Sequence, residues 1–176
     1  MTTFDQKGQR VHTQLNVGEV TIHLHGNFPA AVVSELKSAV RSVQLGRYTD
    51  AVTKLDALVL RDDTIADIYY YRALALLNGK RPRVARRSIA EKIELDLDTA
   101  CRLDAAQSHY FYLWALLKYD FYAANGFKMT GPAIPALLER AIRNPLDVPK
   151  GLELLQHTNA PDCPVSISLS ERISRA

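Results

Sequence analysis

Cysteine is nearly missing from this chain. Cys101 and Cys163 are the only two in 176 residues, too few for the disulfide framework of a small secreted domain, so a reducing, cytoplasmic compartment is expected. Also missing is any run of eighteen apolar residues, and no segment is expected to cross a membrane. The opening MTTFDQKGQR has no apolar stretch of the kind a secretory signal needs. Neither sign of charge dominates. The 22 lysines and arginines stand against 19 aspartates and glutamates, a net +3 that favours solubility without requiring nucleic acid. Gly-rich phosphate loops are absent, and no turn motif presents a nucleophile beside a histidine. No cofactor is expected, and no catalytic residue.

What is present divides into three zones: residues 1–28, 29–144 and 145–176. In the first, QRVHTQLNVGEVTIHLHG alternates, with apolar side chains on odd numbers up to Val17 and on even numbers from Val20. That change of phase predicts a hairpin turning at Val17-Gly18, with Leu15 opposite Val20, Thr13 opposite Ile22 and Val11 opposite Leu24. A lone two-stranded hairpin is barely stable in water, so its apolar face needs cover. The helical body can supply it, and so can the tail segment PVSISLSERIS as a third strand. A second copy can too, which makes Val11, Leu15, Val20, Ile22 and Leu24 a candidate self-association surface and a homo-oligomer the expected state. The other face carries His12, His23 and His25, which are zinc-ligand types but lack a clear completing Cys, Asp or Glu.

The middle zone has helical spacing. Pro29 suits a first turn, Val32, Leu36, Ala39, Val40 and Val43 share a face, and Gly46 stops the helix. Tyr48, Ala51, Val52, Leu55 and Leu58 repeat the pattern. Next comes IADIYYYRALALLNGK, whose three tyrosines favour a strand while its Arg-Ala-Leu-Ala-Leu-Leu favours a helix. Apolar residues on two faces predict a sandwiched helix with the tyrosine hydroxyls reaching outward. The tail holds four of the eight prolines. There Val165, Ile167 and Leu169 alternate with serines, predicting a short strand beside a short helix.

The middle zone also repeats. Tyr69–Leu77 lies over Phe111–Tyr119 at a shift of 42, and the endings at Ala57, Ala100 and Ala141 recur at 43 and 41. Such recurrence marks helical pairs that cannot bury their faces alone. With Gly46, Tyr48, Ala51 and Leu55, then Tyr69, Ala73 and Leu76, then Phe111, Ala115 and Ala141, the chain resembles the tetratricopeptide-repeat family. Its unit of about 42 exceeds the usual 34 of that family. The resemblance implies a mainly α fold of antiparallel helical repeats, here with a small N-terminal β-hairpin and a short C-terminal strand. It also implies a non-enzymatic scaffold that takes a protein partner, peptide or helix, in its groove. The lining would be Asp67, Tyr70, Leu74, Asn78, His109, Tyr112, Leu116 and Asp120. The N-terminal Gln6, Gly8, Gln9, Val11, Gln14 and Asn16 resemble short strand segments in bacterial signalling and conflict adaptors, which implies an assembly role.

Two rival readings attach to charged residues. Arg102 and His109 are similar to the loose Arg-x6-His signature of the HEPN ribonucleases, where an imidazole moves a proton and a guanidinium steadies phosphate. Lys80, Arg81, Arg83, Arg86 and Arg87 form a basic run that an RNA backbone would suit. Glu91, Glu94, Asp96 and Asp98 follow at once, and Arg87/Glu91 have helix-pairing spacing. A solvated helix face is the simpler account.

Overall fold

A computed structural model describes residues 12–17, 20–25 and 28–176, the strand residues other than Ile22 by their backbone alone. The protein is mainly helical. Two strands, β1 (His12–Val17) and β2 (Val20–His25), precede α1 (Ala30–Gln44), α2 (Tyr48–Arg61) and α3 (Ala66–Leu76). A 3₁₀ turn at Pro82–Val84 leads to α4 (Arg87–Leu103) and α5 (Ser108–Leu117). A π-helical turn at Lys118–Ala123 extends α5, and α6 (Ile134–Arg143), α7 (Val148–Thr158) and α8 (Pro164–Ser174) complete the chain.

The two strands pair antiparallel with Leu15 opposite Ile22, Thr13 opposite Leu24 and Val17 opposite Val20. Each partner lies two positions from the pairing that a turn centred on Val17-Gly18 predicts. A shift of two keeps each residue on its expected face, because side-chain direction alternates with period two. Ile22 is fully buried, and β2 packs on α1 and α3. This residue of the expected self-association surface is therefore covered by the chain's own helices. The side chains of Val11, Leu15, Val20 and Leu24, like those of His12, His23 and His25, lie outside the described residues.

From α1 to α6, each helix packs on the next. The α1–α2 turn is made by Gly46, which has φ of +70°, a value costly for residues with a Cβ. Small residues are part of the core: Ala51, Ala73, Ala115 and Ala141 have no exposed surface. Leu36, Leu55 and Leu58 are fully buried with them, each contributing roughly 1.5–3 kcal/mol of burial.

The tyrosine triplet is helical, and context overrides its strand preference. α3 is enclosed by α1, α2, α4, α7 and β2. Tyr70 and Tyr71 are buried to their hydroxyls, contrary to the expectation that these groups reach outward. Tyr69 donates its hydroxyl to the Asp63 carbonyl at 3.2 Å. The single charged side chain in the middle of α3, Arg72, bridges its neighbours, donating to Asp96 of α4 at 2.9 and 2.5 Å and to Asp56 of α2 at 3.0 Å.

The C-terminal zone departs most from expectation. Residues 164–174 form a helix, with no strand there. Val165 and Leu169 are buried, Ile173 packs against the core, and Ile167 is 47% exposed. The working period is therefore four, and the Val-Ile-Leu alternation with serine is incidental. Pro164 occupies the first turn, where its fixed φ suits a helix start. Leu154, Val165 and Leu169 belong to the same core as α1–α6. α7 packs on α3 and α5, and α8 on α5.

Candidate functional site

The site lies where α7 meets α1 and α3. α7 starts at Asp147, whose carboxylate accepts from the Lys150 backbone N–H at 3.0 Å, satisfying one of the open donors of a helix start. Lys150, Glu153 and His157 recur three and four residues apart and share one side of the helix. Pro149 in the first turn and Leu154 toward the core fix which side that is.

This side meets polar partners indoors. Tyr71 donates to Glu153 Oε2 at 2.9 Å, and Gln44 Nε2 donates to Oε1 at 3.2 Å. Lys150 Nζ donates to the Tyr71 hydroxyl, lies 4.4 Å from the ring centroid and stands 3.9 Å from Glu153. Lys150 is 2% exposed, and a buried ammonium needs such company because it has lost its water. Burial, then the nearby Glu153 charge, holds the Tyr71 hydroxyl well above the ordinary phenol range. Farther along, His157 Nδ1 and the Tyr48 hydroxyl are 2.9 Å apart, with rings edge to face. Burial lowers the His157 pKa, and Glu153 opposes that shift.

Above these groups opens a cleft of about 370 Å³. Arg41, Gln44 and Leu45 from the end of α1 form one wall, and α7 forms the other from Pro149 to His157. Leu45 and Leu152 stand at the cleft 56% and 52% exposed. Among the described residues Arg41 has no salt bridge or side-chain hydrogen bond. Concave, part-apolar sites with a few converging polar groups are the usual places for small ligands.

Of the expected groove residues, Asp67, Tyr70, Leu74, His109, Tyr112, Leu116 and Asp120 are buried, and only Asn78 is exposed. The rings of Tyr70 and His109 meet at 4.7 Å, and Tyr110 lies tilted against Tyr70 and edge-on to His109. Tyr110 donates to Asp67 at 2.5 Å. Asp120 is a brace. It accepts from Arg81 at 2.6 and 3.2 Å and from the Arg83 backbone N–H at 3.0 Å, and Arg81 also reaches Asp162 at the α7–α8 turn. A partner touching these seven residues would first have to displace part of the chain.

Arg102 and His109 do not make a ribonuclease-like pair. His109 has no exposed surface, while Arg102 is bound to Asp98 at 3.0 Å and to Thr99 at 3.1 Å on the outside of α4. Three residues of the basic run have partners: Arg81 and Arg83 on Asp120, and Arg87 on Glu91 at 2.9 Å, the latter at the spacing the sequence shows. Cys101 is a buried core thiol pushed up to about 12 by burial, and neither it nor the buried Cys163 is in a disulfide. Among the described residues no group of His, Cys, Asp and Glu has metal-holding geometry, and no helix is long and apolar enough to cross a membrane.

Sequence reasoning missed Lys150, Glu153 and His157. A signal was there in DVPKGLELLQHT: an Asp cap, a first-turn proline, and polar residues at helical spacing beside Leu154. No protein-family model, curated protein or solved structure matches the chain.

Proposed function

We propose that the protein is a non-enzymatic interaction scaffold built from antiparallel helical pairs of the tetratricopeptide-like kind, and that its own α7–α8 segment fills the receptor face. The observation that carries this reading is the placement of α7 and α8 on α3 and α5. These are the two helices whose residues the repeat resemblance assigns to the groove. Support also comes from the full burial of Ala51, Ala73, Ala115 and Ala141, because small residues let backbones approach. The bound segment has the features of a recognised helix: apolar anchors at Leu154, Val165 and Leu169, with polar selectivity from Lys150, Glu153 and His157.

On this reading a protein partner competes with α7–α8 for the same face. A second copy can offer the same segment in trans, giving a homo-oligomer by exchange of identical elements. The β1–β2 element then serves as cover for α1 and α3.

A labelled peptide of residues 145–176 tests the proposal against the full-length chain. Binding should be weak to the wild type, where the tethered copy competes at high effective concentration. It should strengthen at least tenfold in a Leu154→Asp chain, whose own segment is loosened. A peptide that binds neither protein, while both remain helical by circular dichroism, overturns the reading.

A further inference from the structure

We propose that the cleft between α1 and α7 is a binding site for a small carboxylate with a short apolar body. Three independent features converge there. The volume, about 370 Å³, lies in the range of sites that enclose small molecules. Leu45 and Leu152 are each more than half exposed and give an apolar chain a surface on both sides. The charges are unequal. Glu153 already accepts from Tyr71 and Gln44 and faces the ammonium of Lys150 at 3.9 Å. That leaves Arg41 as the guanidinium on the cleft wall with no ion pair among the described residues.

A guanidinium presents a planar fork matched to a carboxylate, and the two parallel hydrogen bonds give direction as well as attraction. With Glu153 offset by Lys150, the cleft's uncompensated charge is positive. A neutral ligand of the same shape gains only the apolar contacts, and a cation meets Arg41 as a like charge. The selectivity for charge therefore comes from α1 and the selectivity for shape from the two leucines.

The test uses three probes of one shape on the full-length protein: hexanoate, hexanamide and hexylamine, by isothermal titration at constant ionic strength. Hexanoate should bind about tenfold more tightly than hexanamide, and hexylamine more weakly than either. Arg41→Ala should remove the preference for the acid, and Leu152→Ser, which takes away one apolar wall, should weaken hexanoate and hexanamide alike while keeping the preference for the acid. Lys128→Ala, at an exposed position on the loop after the π-helical turn, should change nothing. Equal affinity for acid and amide, or an acid preference that survives Arg41→Ala, overturns the assignment. So does the absence of binding by all three probes.

Discussion

The Tyr48 hydroxyl at the start of α2 and the His157 Nδ1 near the end of α7 lie 2.9 Å apart, 109 residues distant in the chain. The same phenol stands over the turn after α3. A Cβ placed on Gly79 would lie 2.8 Å from the Tyr48 hydroxyl. One ring therefore joins the first helical pair, the close of α3, and the C-terminal segment.

The His157 end of this contact makes stability depend on pH. Burial favours the neutral imidazole, so the unfolded chain binds the proton more readily than the folded one. Its contribution is present above the ordinary histidine pKa near 6.5 and is lost as pH falls through the lowered folded value. Urea midpoints should drop between pH 7 and pH 5 more in the wild type than in His157→Gln. Parallel curves for the two proteins would remove this account.

Gly79 should not accept a side chain. Its φ is +66°, and the nearest obstacles belong to a phenol ring that is itself held in place. Gly79→Ala is expected to cost about 1–3 kcal/mol, from left-handed backbone strain together with the contact. Tyr48→Phe in the same chain should recover only part, because ring carbons remain close. Chemical denaturation of the four proteins in the cycle gives the coupling.

The Lys118–Glu94 pair should behave as a unit. Lys118 has no exposed surface and donates to Glu94 and to the Thr130 carbonyl, while Tyr122 donates to Glu94 at 2.6 Å. Glu94→Leu strands the buried ammonium and should cost about 3 kcal/mol. Lys118→Met combined with Glu94→Leu should restore much of that loss. A double variant as unstable as the sum of the singles would show that the two charges act separately.

Asp147 caps α7 through the Lys150 backbone N–H. Asp147→Ala should reduce stability by about 1 kcal/mol. Hydrogen exchange should show its largest increase in the first turn of α7, with α4 unaffected. A uniform increase over the whole chain would instead indicate that α7 opens only when everything unfolds.

The legible parts of this fold were those whose apolar period is uninterrupted. Val32, Leu36, Ala39, Val40 and Val43 mark α1 unambiguously, and Gly46 closes it with a left-handed turn. α3 was legible as a helix only by weighing the Ala-Leu run against three tyrosines. Its surroundings were less so, because a helix apolar on every side does not say what covers which side. α8 was misread because Val165, Ile167 and Leu169 satisfy period two, while the residues that pack are Val165, Leu169 and Ile173. Pro164, one residue inside the helix start, was the better guide. The cleft was beyond reach from sequence, since Gln44 and Glu153 meet across 109 positions.

The bridge between Tyr71 and Lys150 spans 79 residues, which sets an order on biosynthesis. As the nascent chain leaves the ribosome, α3 emerges well before the helix that shields it. The aromatic side of α3 and α5 must wait uncovered until residues 148–158 follow. That interval exposes a sticky surface to chaperones and to sister chains on the same messenger, so helices made well after α3 and α5 are the ones that protect them from aggregation.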